Sequence, residues 1–91
     1  MADRTTDPVV VIGLGRFGRA LALQLTQQGT EVLGIDSNEK TVAALANQLG
    51  NIAVADSTDI EALRQLGVPD FRHVVCAIGS DIQASILTVG L

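Results

Sequence analysis

The sequence predicts an α/β fold, a doubly wound parallel sheet with helices on both faces. Three observations predict it. Short β-branched apolar runs alternate with segments of helical period through four successive units, the pattern of parallel strands joined by right-handed crossovers. The connections between them are only a few residues long, as expected of such units. The first apolar run, VVVI from Val9 to Ile12, breaks directly into Gly13-x-Gly15-x-x-Gly18, and strand, glycine turn and helix in that order give the glycine spacing a phosphate-binding meaning.

The elements follow in order. Residues 1–7 read as a polar lead-in and residues 8–91 as the domain. After the first strand, a helix is expected over Arg16 to Gln28, with Phe17, Leu21 and Leu25 on one face and Gly29 as the left-handed residue that ends it. The second strand spans Glu31 to Ile35. Asp36, Ser37 and Asn38 are each competent to cap the second helix, which carries Val42, Leu45, Ala46 and Leu49 before Gly50. The third strand is Ile52 to Ala55.

Thr58-Asp59-Ile60-Glu61 has the form of a capping box that opens a third helix, ended by Gly67 and Pro69. The fourth strand runs from Val74 to Ile78. Ser80-Asp81-Ile82-Gln83 repeats the capping-box form, so a fourth helix is expected, still apolar at Leu91. The predicted strand order is 3-2-1-4, the Rossmann-like arrangement up to the strand beyond its switch point. A complete domain of this type continues further, so the chain reads as truncated after the fourth unit, with the fourth strand left as an open edge.

Ligands of such sheets bind outside the carboxyl ends of the strands, at the switch point. Gly13, Leu14, Gly15, Arg16, Phe17 and Gly18 follow the first strand. The three glycines permit, in turn, a tight bend, a close backbone approach to a pyrophosphate, and a helix seated close on the strand. Arg16 and Arg19 fall in the first helical turn, where a cation opposes the helix dipole unless an anion binds there.

Asp36 lies 18 positions beyond Gly18, near the offset of about 20 at which an acidic residue accepts from ribose hydroxyls. Its carboxylate disfavours a 2′-phosphate, and a simple cap of the second helix is the other reading of Asp36, compatible with the first. Asp56 and Ser57 after the third strand, and Ala77, Ile78 and Gly79 after the fourth, complete the candidate cleft; the Asp56 group reads as well as a cap.

The remaining composition restricts function further. A net charge of −4 with no basic patch beyond Arg16 and Arg19 argues against nucleic-acid binding. Cys76, alone of its type and inside HVVCAI, reads as a small core residue. No apolar run approaches the ~20 residues of a membrane-spanning helix, and the polar start lacks a signal-peptide core, so the expected compartment is the cytoplasm. His73 has no partner histidine, and no nucleophile constellation, metal-ligand set or Walker lysine is visible. No catalytic residue and no metal are expected.

VIGLGRFGRALALQL, the GID that closes the second strand, ADSTD and VVCAIGSDIQASILT together resemble the N-terminal lobe of the RCK (KTN) domain in Trk/Ktr-type potassium-uptake regulatory subunits. The resemblance runs from Val9 to the last residue. It implies a cytosolic, non-enzymatic subunit that forms homo-oligomers (dimers or rings of dimers), binds ATP, ADP or NAD(H), and gates a membrane-embedded potassium channel or transporter. By position it implies Arg16 at the terminal phosphates, Asp36 at the ribose, and Asp56-Ser57 with Ile78-Gly79 around adenine and sugar; Ser37 and Asn38, next to Asp36, are counted with the candidate cofactor-binding residues. The chain departs from the family pattern in lacking the last strands of the lobe and a C-terminal regulatory lobe. The alternative reading is a fragment of an NAD-dependent dehydrogenase, which shares the glycine fingerprint.

Overall fold

A computed structural model describes residues 7–78 and 85–88. Its first strand, β1 (Val9–Ile12), is central because Val10 and Val11, on opposite faces, are both wholly buried. A strand covered on two sides has no polar face, which is why its sequence is continuously apolar rather than alternating. β2 (Val32–Asp36) and β4 (His73–Cys76) flank β1 in parallel, and β3 (Asn51–Val54) lies outside β2, giving the order 3-2-1-4 through the parallel part of the sheet.

The helices divide between the faces. α1 (Arg16–Gln27) and α2 (Glu39–Leu45) border a core of Val11, Leu14, Ala22, Val32, Leu45 and Leu49. The opposite core of Val10, Ile12, Ile35, Val68 and Val74 is covered by Leu63 and Leu66 from around α3 (Ile60–Gln65), with Phe71 and half-buried Cys76 against it. Gly34 in β2 has a packing reason. A Cβ there would stand 3.1 Å from a Leu49 methyl and 3.2 Å from one of Leu14, so its absence lets both leucines cross the strand.

Helix ends follow local chemistry. Gly29 closes the α1 region at φ +90° and Gly67 follows α3 at φ +83°, both in the left-handed region that favours glycine. Of the three candidate caps of α2, Asn38 is the one used, its side chain accepting from the Lys40 and Thr41 N–H groups. Asp36 is therefore not that cap.

Three expectations need correction. The capping box at Thr58 does not form. The Thr58 hydroxyl donates to Asp56 Oδ1 at 2.8 Å, and Asp59, one residue later, caps α3 by accepting from the Ala62 N–H at 3.1 Å. The Asp56 carboxylate draws the hydroxyl away, and the adjacent Asp59 supplies a stronger acceptor for the helix end. Next, α2 stops at Leu45 instead of reaching Leu49, although Leu49 is buried; apolar spacing reports which residues pack inward, not which remain helical.

The largest difference concerns the last segment. Ser85–Thr88, expected within a fourth helix, forms β5 and pairs antiparallel with β4, from His73↔Thr88 to Cys76↔Ser85. The edge of β4 is thus occupied rather than open. An unpaired row of strand N–H and C=O groups recruits a partner, and a segment containing Ile86 and Thr88 has the β-branched composition to supply one. The rest of the expected helix lies outside the described residues.

Candidate functional site

At the carboxyl ends of β1 to β4 the chain leaves a cleft of about 290 Å³ lined by Ile12, Gly13, Gly15, Ile35, Asp36, Ser37, Ala55, Asp56, Ser57, Ala77 and Ile78. The ladder carries on just past the strands to frame it. The Gly13 N–H donates to the Ile35 carbonyl at 2.7 Å, Ala77 N–H to Ile12 carbonyl at 2.8 Å, and Ala55 N–H to Asp36 carbonyl at 3.1 Å. These bonds bring four separate chain segments to one opening.

The three glycines differ sharply in what surrounds them. Gly13 turns at φ +96°, and a Cβ on it would lie 2.6 Å from the Ala77 carbonyl oxygen. Gly18 is buried, and its missing Cβ would overlap the Gly13 carbonyl oxygen. Both are required by the protein's own packing. Gly15 is not: it sits at φ −74°, open to any residue, and among the described residues nothing lies within 4 Å of where its Cβ would be. Gly15 belongs to the cleft wall, at the N-terminus of α1.

The α1 terminus itself is unlike those of α2 and α3. No side chain caps it and no acidic residue occupies its first turn, so the N–H groups of Arg16, Phe17 and Gly18 lack intrahelical acceptors and carry the positive end of the helix dipole. Arg16 and Arg19 are exposed beside it.

The acidic residues are held by main chain. Asp36 Oδ2 accepts from the Leu14 N–H at 2.7 Å and Oδ1 from the Asn38 N–H at 2.8 Å. Asp56 Oδ1 accepts from the Thr58 N–H and its hydroxyl, and these two bonds, the backbone one foremost, hold the Asp56 carboxyl below the usual aspartate value.

Of the residues singled out from sequence, Gly13, Gly15, Asp36, Ser37, Asp56, Ser57, Ala77 and Ile78 meet in the cleft wall. Leu14 enters the core with its side chain and gives its N–H to Asp36. Arg16 and Phe17 are exposed and stand outside the wall, Gly18 packs beneath the turn, and Asn38 caps α2. Gly79 lies outside the described residues. Sequence reasoning passed over Ile12, Ile35 and Ala55, which form the apolar floor; their position at or just beyond a predicted strand's carboxyl end was the signal available. His73, which has no partner histidine, is half-buried in β4 with Nε2 3.7 Å from Asp7 Oδ2. Among the described residues no group of three metal-ligating side chains gathers, and no helix is long and apolar enough to cross a membrane.

The family model of the TrkA-N domain matches residues 9–91. The chain belongs to the TrkA-N domain family. This TrkA-N domain is 46% identical over 78 residues to Ktr system potassium uptake protein C of Bacillus subtilis, covering 86% of this chain and 35% of that protein. It is 43% identical over 77 residues to Ktr system potassium uptake protein A of Vibrio alginolyticus, covering 85% of this chain and 35% of that one. It thus spans about a third of the length of these relatives. A glycerol-3-phosphate dehydrogenase of Actinobacillus pleuropneumoniae is more distant, 28% identical over 94 residues, covering 97% of this chain and 28% of that enzyme.

Proposed function

We propose that this TrkA-N domain binds an adenine nucleotide, ATP/ADP or NAD(H), in the cleft at the carboxyl ends of β1 to β4, and that it acts as a cytosolic regulatory module of a potassium-uptake system. Gly15 carries the reading. Gly15 has an ordinary φ and, among the described residues, no atom within 4 Å of its missing Cβ; unlike Gly50, of which the same holds, it lines the cleft, where a pyrophosphate laid across it would need that space. The uncapped α1 terminus supplies donors to the same anion.

In this reading the diphosphate lies over Gly13-Leu14-Gly15, with Arg16, Phe17 and Gly18 offering first-turn N–H groups. Asp36, with Ser37 and Asn38 beside it, faces the ribose; each carboxylate oxygen keeps a lone pair free beyond its backbone bond. Asp56, Ser57, Ala77 and Ile78 surround adenine and sugar, and Gly79, next in sequence, is proposed with them. Residues 8–91 form the binding domain, and the partners are a membrane-embedded potassium channel or transporter subunit and further copies of the chain. Similarity of 43–46% to Ktr potassium uptake proteins, against 28% to a dehydrogenase, favours regulation over hydride transfer.

The test is a parallel thermal-shift series with ATP, ADP, NAD and NADH. A ligand of the native state present at a hundredfold excess over its Kd adds about 2.7 kcal/mol by mass action, equivalent to a rise of roughly 14 °C in a domain of this size. Melting points unmoved by all four compounds overturn the proposal.

We take Arg16 as the reporter of the terminal phosphate, a reading that its exposure at the uncapped helix end supports. An Arg16→Ala chain is expected to lose about three- to tenfold more affinity for ATP than for ADP, the scale of one charge-assisted contact in solvent. Calorimetric titration with the two nucleotides decides it; equal losses remove Arg16 from that role.

A further inference from the structure

Asp36 engages main chain on two sides at once. Its Oδ2 holds the Leu14 N–H across 22 residues of sequence, while its Oδ1 holds the Asn38 N–H. Leu14 is the middle of the glycine turn, and Asn38 caps α2 through the Lys40 and Thr41 N–H groups. One carboxylate therefore ties the turn after β1 to the start of α2.

We infer that Asp36 is a positioning residue for anion binding, which sets the glycine turn in its binding shape before a ligand arrives. The inference rests on the nucleotide reading above and adds to it a role that involves no sugar. Three constraints act on adjacent groups of the turn: the Gly13 N–H is held by the Ile35 carbonyl, the Leu14 N–H by Asp36, and the Leu14 side chain by the core, where it is wholly buried. With the Leu14 N–H committed to Asp36, the donors left for an anion are those of the first turn of α1. A turn already held in this shape loses little conformational entropy on binding.

The inference makes a prediction of unusual sign. A carboxylate lining an anion site repels the anion, so neutralising it would by charge alone tighten binding. In Asp36→Asn the amide keeps one acceptor oxygen, which the local Asx turn to the Asn38 N–H two residues on retains, so the NH2 stands against the Leu14 N–H and that donor loses its partner. Solvent screening limits the charge effect at an open cleft, and loss of the turn geometry dominates.

The probe is inorganic pyrophosphate, which has no ribose, titrated directly and in competition with ADP on the purified wild-type and Asp36→Asn chains. The variant is expected to bind pyrophosphate about tenfold more weakly, the scale of a lost hydrogen bond to a charged group. Amide exchange at Leu14 is expected to quicken by about tenfold or more on the same scale, with Val11 and Ile35 unchanged. Pyrophosphate binding that is equal or tighter in the variant while ADP weakens would make Asp36 a ribose contact alone and overturn the inference; so would unchanged exchange at Leu14.

Wild-type chain that binds ADP but not pyrophosphate overturns it as well. Wild-type chain that binds neither, nor any other nucleotide, instead brings down the functional reading on which it rests. Should Asp36→Asn not fold, the unliganded wild type decides. Its Leu14 amide is expected to exchange more slowly than that of Arg16, and comparable rates overturn the inference.

Discussion

A Gly18→Ala chain is expected to lose about 3 kcal/mol of stability, the upper range for forcing one methyl into a packed interior. The new Cβ would overlap the Gly13 carbonyl oxygen and stand 3.3 Å from the Ala77 Cβ. Neither neighbour is a flexible side-chain end: one is backbone in the turn, the other a Cβ at the end of β4. Relief requires α1 to lift from the sheet, exposing Ala22 and the core it shares with Val11 and Leu14. Helix propensity alone would favour alanine over glycine by about 1 kcal/mol within a helix, so the sign of the change is diagnostic. Urea unfolding of the two chains measures it. A Gly18→Ala chain as stable as the wild type would show that α1 does not sit against the turn.

Gly15→Ala is expected to do the reverse. At φ −74°, with nothing of the described chain within 4 Å of the added methyl, its stability should fall by no more than about 1 kcal/mol, the difference between glycine and alanine at a helix cap. The methyl enters the space assigned to the pyrophosphate. Overlap of that kind costs about 1–3 kcal/mol, roughly ten- to a hundredfold in nucleotide affinity. Melting curves with and without ADP read both quantities from one sample. Retained affinity for every adenine nucleotide in Gly15→Ala would remove the turn from the binding site. Together the two variants test whether two glycines of one motif answer to different demands, Gly18 to packing and Gly15 to a ligand.

Much of the site was legible because its signals are local. Gly13, Gly15 and Gly18 are separated by fixed spacings after an apolar strand, and Asp36 ends the next strand. In such a sheet everything at a strand's carboxyl end converges, so naming the residues after each strand also named most of the cleft wall. Roles inside that wall were less legible. Leu14 and Gly15 are neighbours in the motif, yet one is wholly buried and the other exposed, a difference set by packing against Leu49 and Gly34. Whether Asp36 caps α2 or braces the turn depended on Asn38 being better placed for the cap, with both of its backbone acceptances within reach.

The identity of the four parallel strands, the glycine turn, the helix-ending glycines and the 3-2-1-4 order of those strands were determined by the sequence alone, because β-branched runs, left-handed glycines and short crossovers constrain the chain within a few residues of where they occur. Tertiary structure alone decided the choice among competing partners. Asp56 took the Thr58 hydroxyl from the expected cap, Asp36 took the Leu14 amide, and the edge of β4 took Ser85–Thr88 from a helix. In each case one segment had two ways to satisfy its backbone or hydroxyl groups, and the choice rested on an acceptor or a strand edge brought close by the fold.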